Sequence, residues 1–239
     1  MRFFFIAAMG LLAACSSQAP ARLSNAAPGL NIARAALWSG SPEIALNVSN
    51  GILAKEPRNV PALLSQGDAL NALGRLEDAE AAYTKAVSLD AGSIGGQIGL
   101  GRLLLRAEPA QAQALFLRVL QREPRNKIAL NNLGITYDLQ GDHAAAQTVY
   151  RRLLGIDPTM RSAEVNLALS MALSGRAPEA VQILRPLAGR PDASPRTRHD
   201  LAFALTMAGD REAAMRIMAK DMPSEQVERA LQSFGGLGP

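Results

Sequence analysis

The sequence predicts an all-α protein, a superhelix (α-solenoid) of about six stacked helical hairpins closed by a capping helix, and three observations carry that prediction. First, apolar and small residues recur at i, i+3, i+4 and i+7 in short blocks, the spacing of one helix face, and the Val, Ile and Thr runs that strands need are lacking. Second, the blocks end at a regular step: Pro57, Ala91, Pro124 and Pro158 stand 34, 33 and 34 residues apart. Third, a bulky residue and a turn keep the same step. The bulky residue is Tyr83, Phe116 and Tyr150; the turn is Gly40-Ser41-Pro42, Gly74-Arg75, Gly141-Asp142, Gly175-Arg176 and Gly209-Asp210.

The stretch from Ala129 to Pro158 is the clearest copy. Leu130, Leu133, Gly134 and Tyr137 share one face of a first helix, Gly141 stops it, and Asp142 is placed to cap the next by accepting a free backbone N–H. Ala146, Val149, Tyr150 and Leu153 face back from the second helix, and Pro158 ends the pair because it cannot donate to the helical ladder. Gly134 and Ala146 are small where the two helices must approach, and Tyr150 is expected to fill the gap to the next pair. Leu133, Gly134, Tyr137, Ala146, Tyr150 and Pro158 together resemble the tetratricopeptide repeat, whose period is about 34 residues. A hairpin this short cannot bury its apolar face alone, so the fold requires that the copies stack.

The chain opens with Arg2, an apolar run from Phe3 to Leu12, and small residues leading to Cys15. That run is too short to span a bilayer and reads as a secretory leader over residues 1–14. Leu12-Ala13-Ala14-Cys15 resembles the bacterial lipobox, which implies cleavage before Cys15 and a diacylglyceryl group on its sulfur. An ordinary leader cut near Ala14 or Ala19 is the alternative. By the sorting pattern that goes with the lipobox, Ser16 implies the outer membrane, facing the periplasm. Residues 15–27 carry no periodic apolar face and read as a flexible tether with a reach of ~20 Å.

The array is expected over residues 28–223. Repeat one, from about Pro28 to Asn59, is degenerate, with Ala33 at the small position, Ser49 in place of the bulky residue, and Ser41 and Pro42 as N-cap and first residue of its second helix. Repeat two carries Gly67, Leu70, Ala79 and Tyr83 in register. Repeat three has Leu100, Gly101 and Leu104, and its turn at Ala107-Glu108-Pro109 is shorter, which accounts for the single step of 33. After repeat four, repeat five has Leu167, Ala168, Met171, Ala180 and Leu184, with a kink expected at Pro186 and a longer loop from Gly189 to Pro195. Repeat six has Leu201, Ala202, Leu205, Gly209, Ala214 and Met218 and breaks at Pro223. Ser224 is then placed to cap a closing helix over 224–234, with Val227, Ala230, Leu231 and Phe234 as its apolar stripe and a tail over 235–239.

Composition narrows the functions. Across 239 residues, 48% are hydrophobic and 4% aromatic, so the core is built from small Ala and Leu contacts. The net charge is +4, but the basic residues are dispersed among Asp and Glu with no interleaved aromatics, which argues against nucleic acid as a partner and leaves only a weak attraction to anionic surfaces. Cys15 is the single cysteine, so the folded part has no disulfide and no thiolate metal site. His143 and His199 are the only histidines, and neither has a second histidine one turn away. Each is expected to be solvated or to hydrogen-bond between helices. Glu77, Asp78 and Glu80 have ordinary solvated spacing, and there is no phosphate loop, nucleophile elbow or zinc-protease motif. No catalytic residue, metal, cofactor or small-molecule substrate is therefore expected.

Binding is the expected work. Stacked hairpins form a concave surface lined by the first helix of each repeat, and Arg34, Asp68, Asn71, Arg102, Asn131, Asp138 and Asn166 are the candidates for positions that face it unused by packing. In peptide-clamping repeat proteins, Asn and basic residues at related positions hold a peptide backbone or carboxylate. Arg102 and Asn131 come nearest to that pattern. Residues Val165 to Met222 further resemble the TadD family, the tetratricopeptide lipoproteins of tight-adherence (Flp) pilus assembly, through Leu184-Arg185-Pro186-Leu187, Ser194-Pro195-Arg196 and the final helix near Ser224; the chain has only Phe234 where that family has a tyrosine-rich ending. That resemblance implies a scaffold held to the outer membrane by its lipid, with the secretin or another pilus-assembly subunit as partner. A type IV pilus pilotin, or an adaptor for peptidoglycan enzymes, is the alternative.

Overall fold

The computed structural model describes residues 27–235, and every regular element among them is a helix. The helices pair as α1 (Ala27–Trp38) with α2 (Pro42–Leu53), α3 (Val60–Ala72) with α4 (Leu76–Leu89), α5 (Ile94–Leu104) with α6 (Pro109–Arg122), and α7 (Lys127–Leu139) with α8 (His143–Ile156). They continue as α9 (Arg161–Leu173) with α10 (Ala177–Ala188) and α11 (Pro195–Met207) with α12 (Arg211–Met218), and α13 (Ser224–Gly235) closes the array. The leader, Cys15 and the tether before Ala27 lie outside the described residues, as does the tail after Gly235.

The turns form for local reasons. Five first helices end on glycine in the left-handed region, Gly40, Gly74, Gly141, Gly175 and Gly209, with φ between 72 and 83°. A side chain there would be strained, and the backbone reversal needs that conformation. Repeat three, without such a glycine, turns on a stretch that delivers Pro109 to the first position of α6. Asn59, Ser93, Asn126 and Ser194 cap first helices through their side chains, and Asp142 and Asp210 cap second helices. Each such cap is worth about 1 kcal/mol.

One expectation about caps holds in position and one needs correction. Ser41 occupies the N-cap position of α2, with Pro42 at the first helical position, but its side chain makes no capping hydrogen bond. Ser224 is itself the first residue of α13 rather than a cap before it. Pro186 lies inside α10, which runs unbroken from Ala177 to Ala188.

The bulky residues pack as ring on glycine. A Cβ added at Gly134 would lie 2.3 Å from the Tyr150 ring, one at Gly67 would lie 2.6 Å from Tyr83, and one at Gly101 would lie 2.8 Å from Phe116. Each ring thus closes its own hairpin, where the sequence placed it in the gap to the next. It reaches the neighbour as well: Tyr83 also lies against Gly99 of the following repeat, and Tyr150 shares a core with Leu167, Ala168 and Met171. In repeat one, Ser49 takes this position fully buried and returns its hydroxyl to the Ala45 carbonyl at 2.8 Å.

Stacking bends the array in one direction. Each first helix touches the first helix of the next repeat, while no two second helices touch among the described residues. The first helices therefore line the inner, concave side, with the second helices splayed outside. At the far end α13 packs on α11 and α12, burying Val227 and Leu231. No described helix is long and apolar enough to cross a membrane.

Ion pairs tie the hairpin ends. Lys127, at the start of α7, sets its Nζ 2.8 Å from the Asp157 carboxylate just after α8, and the Thr159 hydroxyl and backbone N–H donate to the same carboxylate. The bond from Lys127, with those from Thr159, pulls the Asp157 carboxyl down to about 2. A depressed carboxyl favours the folded state at pH values above its unfolded pKa of about 3.9, and that contribution fades as pH falls toward 2. Lys127→Ala is expected to raise the Asp157 pKa toward its free value, which carboxyl-resolved NMR titration would read directly. An unmoved titration would show that Lys127 is not the dominant partner.

Candidate functional site

One register position of the first helices divides the concave face into two halves. It holds Arg34, Asp68 and Arg102 in repeats one to three, then Ile135, Leu169 and Phe203 in repeats four to six. The groove is thus charged toward the N-terminus and apolar toward the C-terminus.

In the charged half, Arg34 and Asp68 line a cleft of about 190 Å³ with Leu30, Leu64 and Ser65. The Tyr83 hydroxyl donates to Asp68 at 2.6 Å. Desolvation pushes the Asp68 carboxyl above its ordinary range, against the pull of the Tyr83 bond and the Arg102 charge. Burial likewise raises the Tyr83 phenol, so Tyr83 stays a donor at any physiological pH.

The apolar half holds a larger cavity of about 420 Å³ between α7, α9 and α11. Ile135, Val165, Leu169 and Leu187 supply its apolar wall. Asn166 donates to Asn131 at 3.1 Å across the same wall, joining adjacent repeats. On the rim Asp192 lies between Arg190 at 3.0 Å and Arg161 at 3.3 Å, and the bond from Arg190 holds its carboxyl below the usual range. Asp200 is pushed the other way by burial, which outweighs the charges of Arg196 and His199. Phe203 is sealed by Phe234 of α13, edge to face with ring centroids 5.4 Å apart, so the closing helix also bounds this end of the groove.

The arrangement suits an extended chain. Apolar side chains of a ligand would fill the cavity, backbone amides would meet Asn131 and Asn166, and the guanidinium groups at the rim favour acidic neighbours.

Of the seven predicted residues, the structure brings Asn131 and Asn166 together in the larger cavity and Arg34 and Asp68 in the smaller cleft, with Arg102 beside Asp68. Asn71 lines neither cavity; its carbonyl accepts the Gly74 N–H that closes the turn. Asp138 requires correction. It accepts the Tyr150 hydroxyl at 3.0 Å and the Ser170 hydroxyl at 2.6 Å, and the His143 Nδ1 lies 2.9 Å away. Its oxygens are used in joining repeats four and five, so it is a packing residue and not a free groove position. His143 correspondingly bonds between helices.

The apolar wall and the rim arginines were not singled out from the sequence. Comparing the same register position across all repeats would have exposed Ile135 and Leu169, because an outward helix face should not turn apolar without use. Among the described residues no group of three His, Cys, Asp or Glu side chains could hold a metal ion.

A tetratricopeptide repeat family model matches residues 30–94 and 98–161, and a second tetratricopeptide repeat model matches residues 162–186 and 195–220. The human FK506-binding protein-like is 32% identical over 82 residues, which are 34% of this chain and 24% of that protein, so the chain spans about a quarter of that relative's length. Among solved structures, PilW, a widely conserved type IV pilus biogenesis factor, superposes with a TM-score of 0.75 at 21% identity, covering 87% of this chain and 97% of its own. The pilF protein of Pseudomonas aeruginosa superposes with a TM-score of 0.69 at 17% identity, covering 88% and 96%. At these identities the likeness is one of fold.

Proposed function

Because this chain belongs to the tetratricopeptide repeat family, we propose that it acts without catalysis, as a scaffold whose concave groove holds an extended segment of a protein partner. The observation that carries this reading is the cavity of about 420 Å³ at repeats four to six, apolar at its wall and bordered by Arg161, Arg190 and Arg196. A preformed cavity spares the cost of ordering the binding face, so more of the contact energy goes into affinity.

The finer reading makes the protein an outer-membrane lipoprotein, attached through Cys15 and facing the periplasm. It assists assembly or localisation of the tight-adherence (Flp) pilus secretion machinery, with the secretin as partner. Support comes from the lipobox-like Leu12-Ala13-Ala14-Cys15 and from the resemblance over Val165 to Met222. Attachment at the membrane raises the effective concentration of groove and secretin and strengthens a modest contact without new interactions. The alternative of a type IV pilus pilotin gains from the fold shared with PilW; an envelope adaptor for peptidoglycan enzymes would use the same groove.

The test is co-purification from membranes of the strain that makes the protein, with the secretin identified by mass spectrometry. The unaltered protein is expected to retain the secretin, and a variant combining Asn131→Ala with Arg196→Glu to lose it along with surface pili. Equal recovery with the variant would remove the groove from the proposal. Recovery of a type IV secretin or a peptidoglycan enzyme instead would select between the alternatives.

A further inference from the structure

The two ends of the array are finished differently. At the C-terminal end α13 covers the last hairpin and turns Glu225, Gln226 and Arg229 outward, the polar cap that a solenoid needs in water. Among the described residues the N-terminal hairpin has no such cover. Ile32 stands in the register of Leu133, Leu167 and Leu201, and Ala35 in that of Ala69 and Ala204, all of them buried against the preceding repeat. Among the described residues nothing precedes α1, and both are exposed.

The patch continues to the turn. Trp38, 85% exposed, ends α1, and Ile44, 53% exposed, begins the next helix across Gly40. Between Ala27 and Ala54 only Arg34 and Glu43 carry charge. An apolar, nearly uncharged end on an otherwise polar array marks a contact surface.

We propose that this uncapped N-terminal end seats on the phospholipid surface to which the protein is anchored. The inference rests on the lipoprotein reading above, and chain length argues for it: only 11 residues separate Cys15 from Ala27, a stretch that spans at most ~40 Å even fully extended, so an anchor at Cys15 holds this end of the array beside the bilayer. Trp and Ile are suited to the boundary between headgroups and acyl chains, and Arg34, one turn before Trp38, meets lipid phosphates. Seating here restricts the orientation of the array on the membrane.

Trp38 is the single tryptophan, so its emission reports on this end alone. The full chain, produced with its leader, is reconstituted in phosphatidylethanolamine and phosphatidylglycerol vesicles with and without brominated acyl chains. About a twofold loss of Trp38 emission is expected in the brominated vesicles, as for a ring at the interface. A variant with Ile32→Glu and Ile44→Glu, both exposed and so tolerated by the fold, is expected to abolish the loss while mass spectrometry still finds Cys15 acylated. Unquenched emission with Cys15 acylated overturns the seating and leaves the lipoprotein reading standing. Protection of Trp38 from aqueous iodide without bromine quenching, the signature of a second copy or of the chain's own N-terminal segment on this end, overturns it as well. A Cys15 without acyl chains overturns both.

Discussion

Replacing Tyr150 with alanine is expected to cost about 3–5 kcal/mol of unfolding free energy, the range for deleting a buried aromatic ring. The ring is 1% exposed and lies directly over Gly134, where no side chain can follow it into the space it would leave. Its hydroxyl is one of the donors that hold Asp138, which also receives Ser170 from the next repeat. Alanine therefore opens a cavity inside repeat four and loosens the carboxylate that joins it to repeat five.

Guanidinium unfolding followed by circular dichroism would read the cost, and Tyr150→Phe separates its parts. The phenylalanine keeps the ring and loses only the hydroxyl, so about 1 kcal/mol is expected. Since each repeat is stabilised mainly by its neighbours, the alanine variant should also unfold less cooperatively, with a smaller dependence on denaturant. A loss under about 1 kcal/mol for Tyr150→Ala would mean that the ring is not the wedge described here.

Leu169→Asp should produce the largest loss of binding. Leu169 lies in the wall of the larger cavity, half-buried and open to the groove, in a register position shared with Ile135 and Phe203. A carboxylate there would have to be desolvated by any apolar ligand side chain that enters, which is the cost that central interface residues carry. Loss of at least about 2 kcal/mol, roughly thirtyfold in affinity for the proposed protein partner, is expected.

The same variant must remain folded for that loss to be informative. Thermal unfolding and helical content should stay close to those of the unaltered protein, and Leu169→Met, which keeps volume and polarity, should bind normally. If Leu169→Asp were folded and bound the partner recovered with the unaltered protein as before, partner contact would have to lie on another face.

Repeat spacing was legible because every mark that makes it is local. Gly141 and Asp142 stop one helix and start the next through contacts within three or four residues, and the structure has both acting as read. The ends were less legible: Ser41 has the chemistry of a cap, yet its side chain makes no capping bond in the fold. Among the groove candidates, Asn131 and Asn166 were chosen separately for polarity and are found bonded to each other. Asp138 has the same polarity, and its use in joining repeats four and five follows from Tyr150 and Ser170, residues that no helical periodicity connects with it.

By itself the amino-acid order determined an all-helical array, the positions of its turns, the regular recurrence of small and bulky residues along it, and the lack of any recognisable catalytic or metal motif. These depend on backbone preference and on spacing within one hairpin. Only the tertiary structure decided which polar residues are free and which are consumed in joining repeats, which ring closes on which glycine, and where along the concave side the larger cavity opens. Each of those depends on residues in different helices, whose meeting is set by how helices pack and hairpins stack and which no local preference encodes.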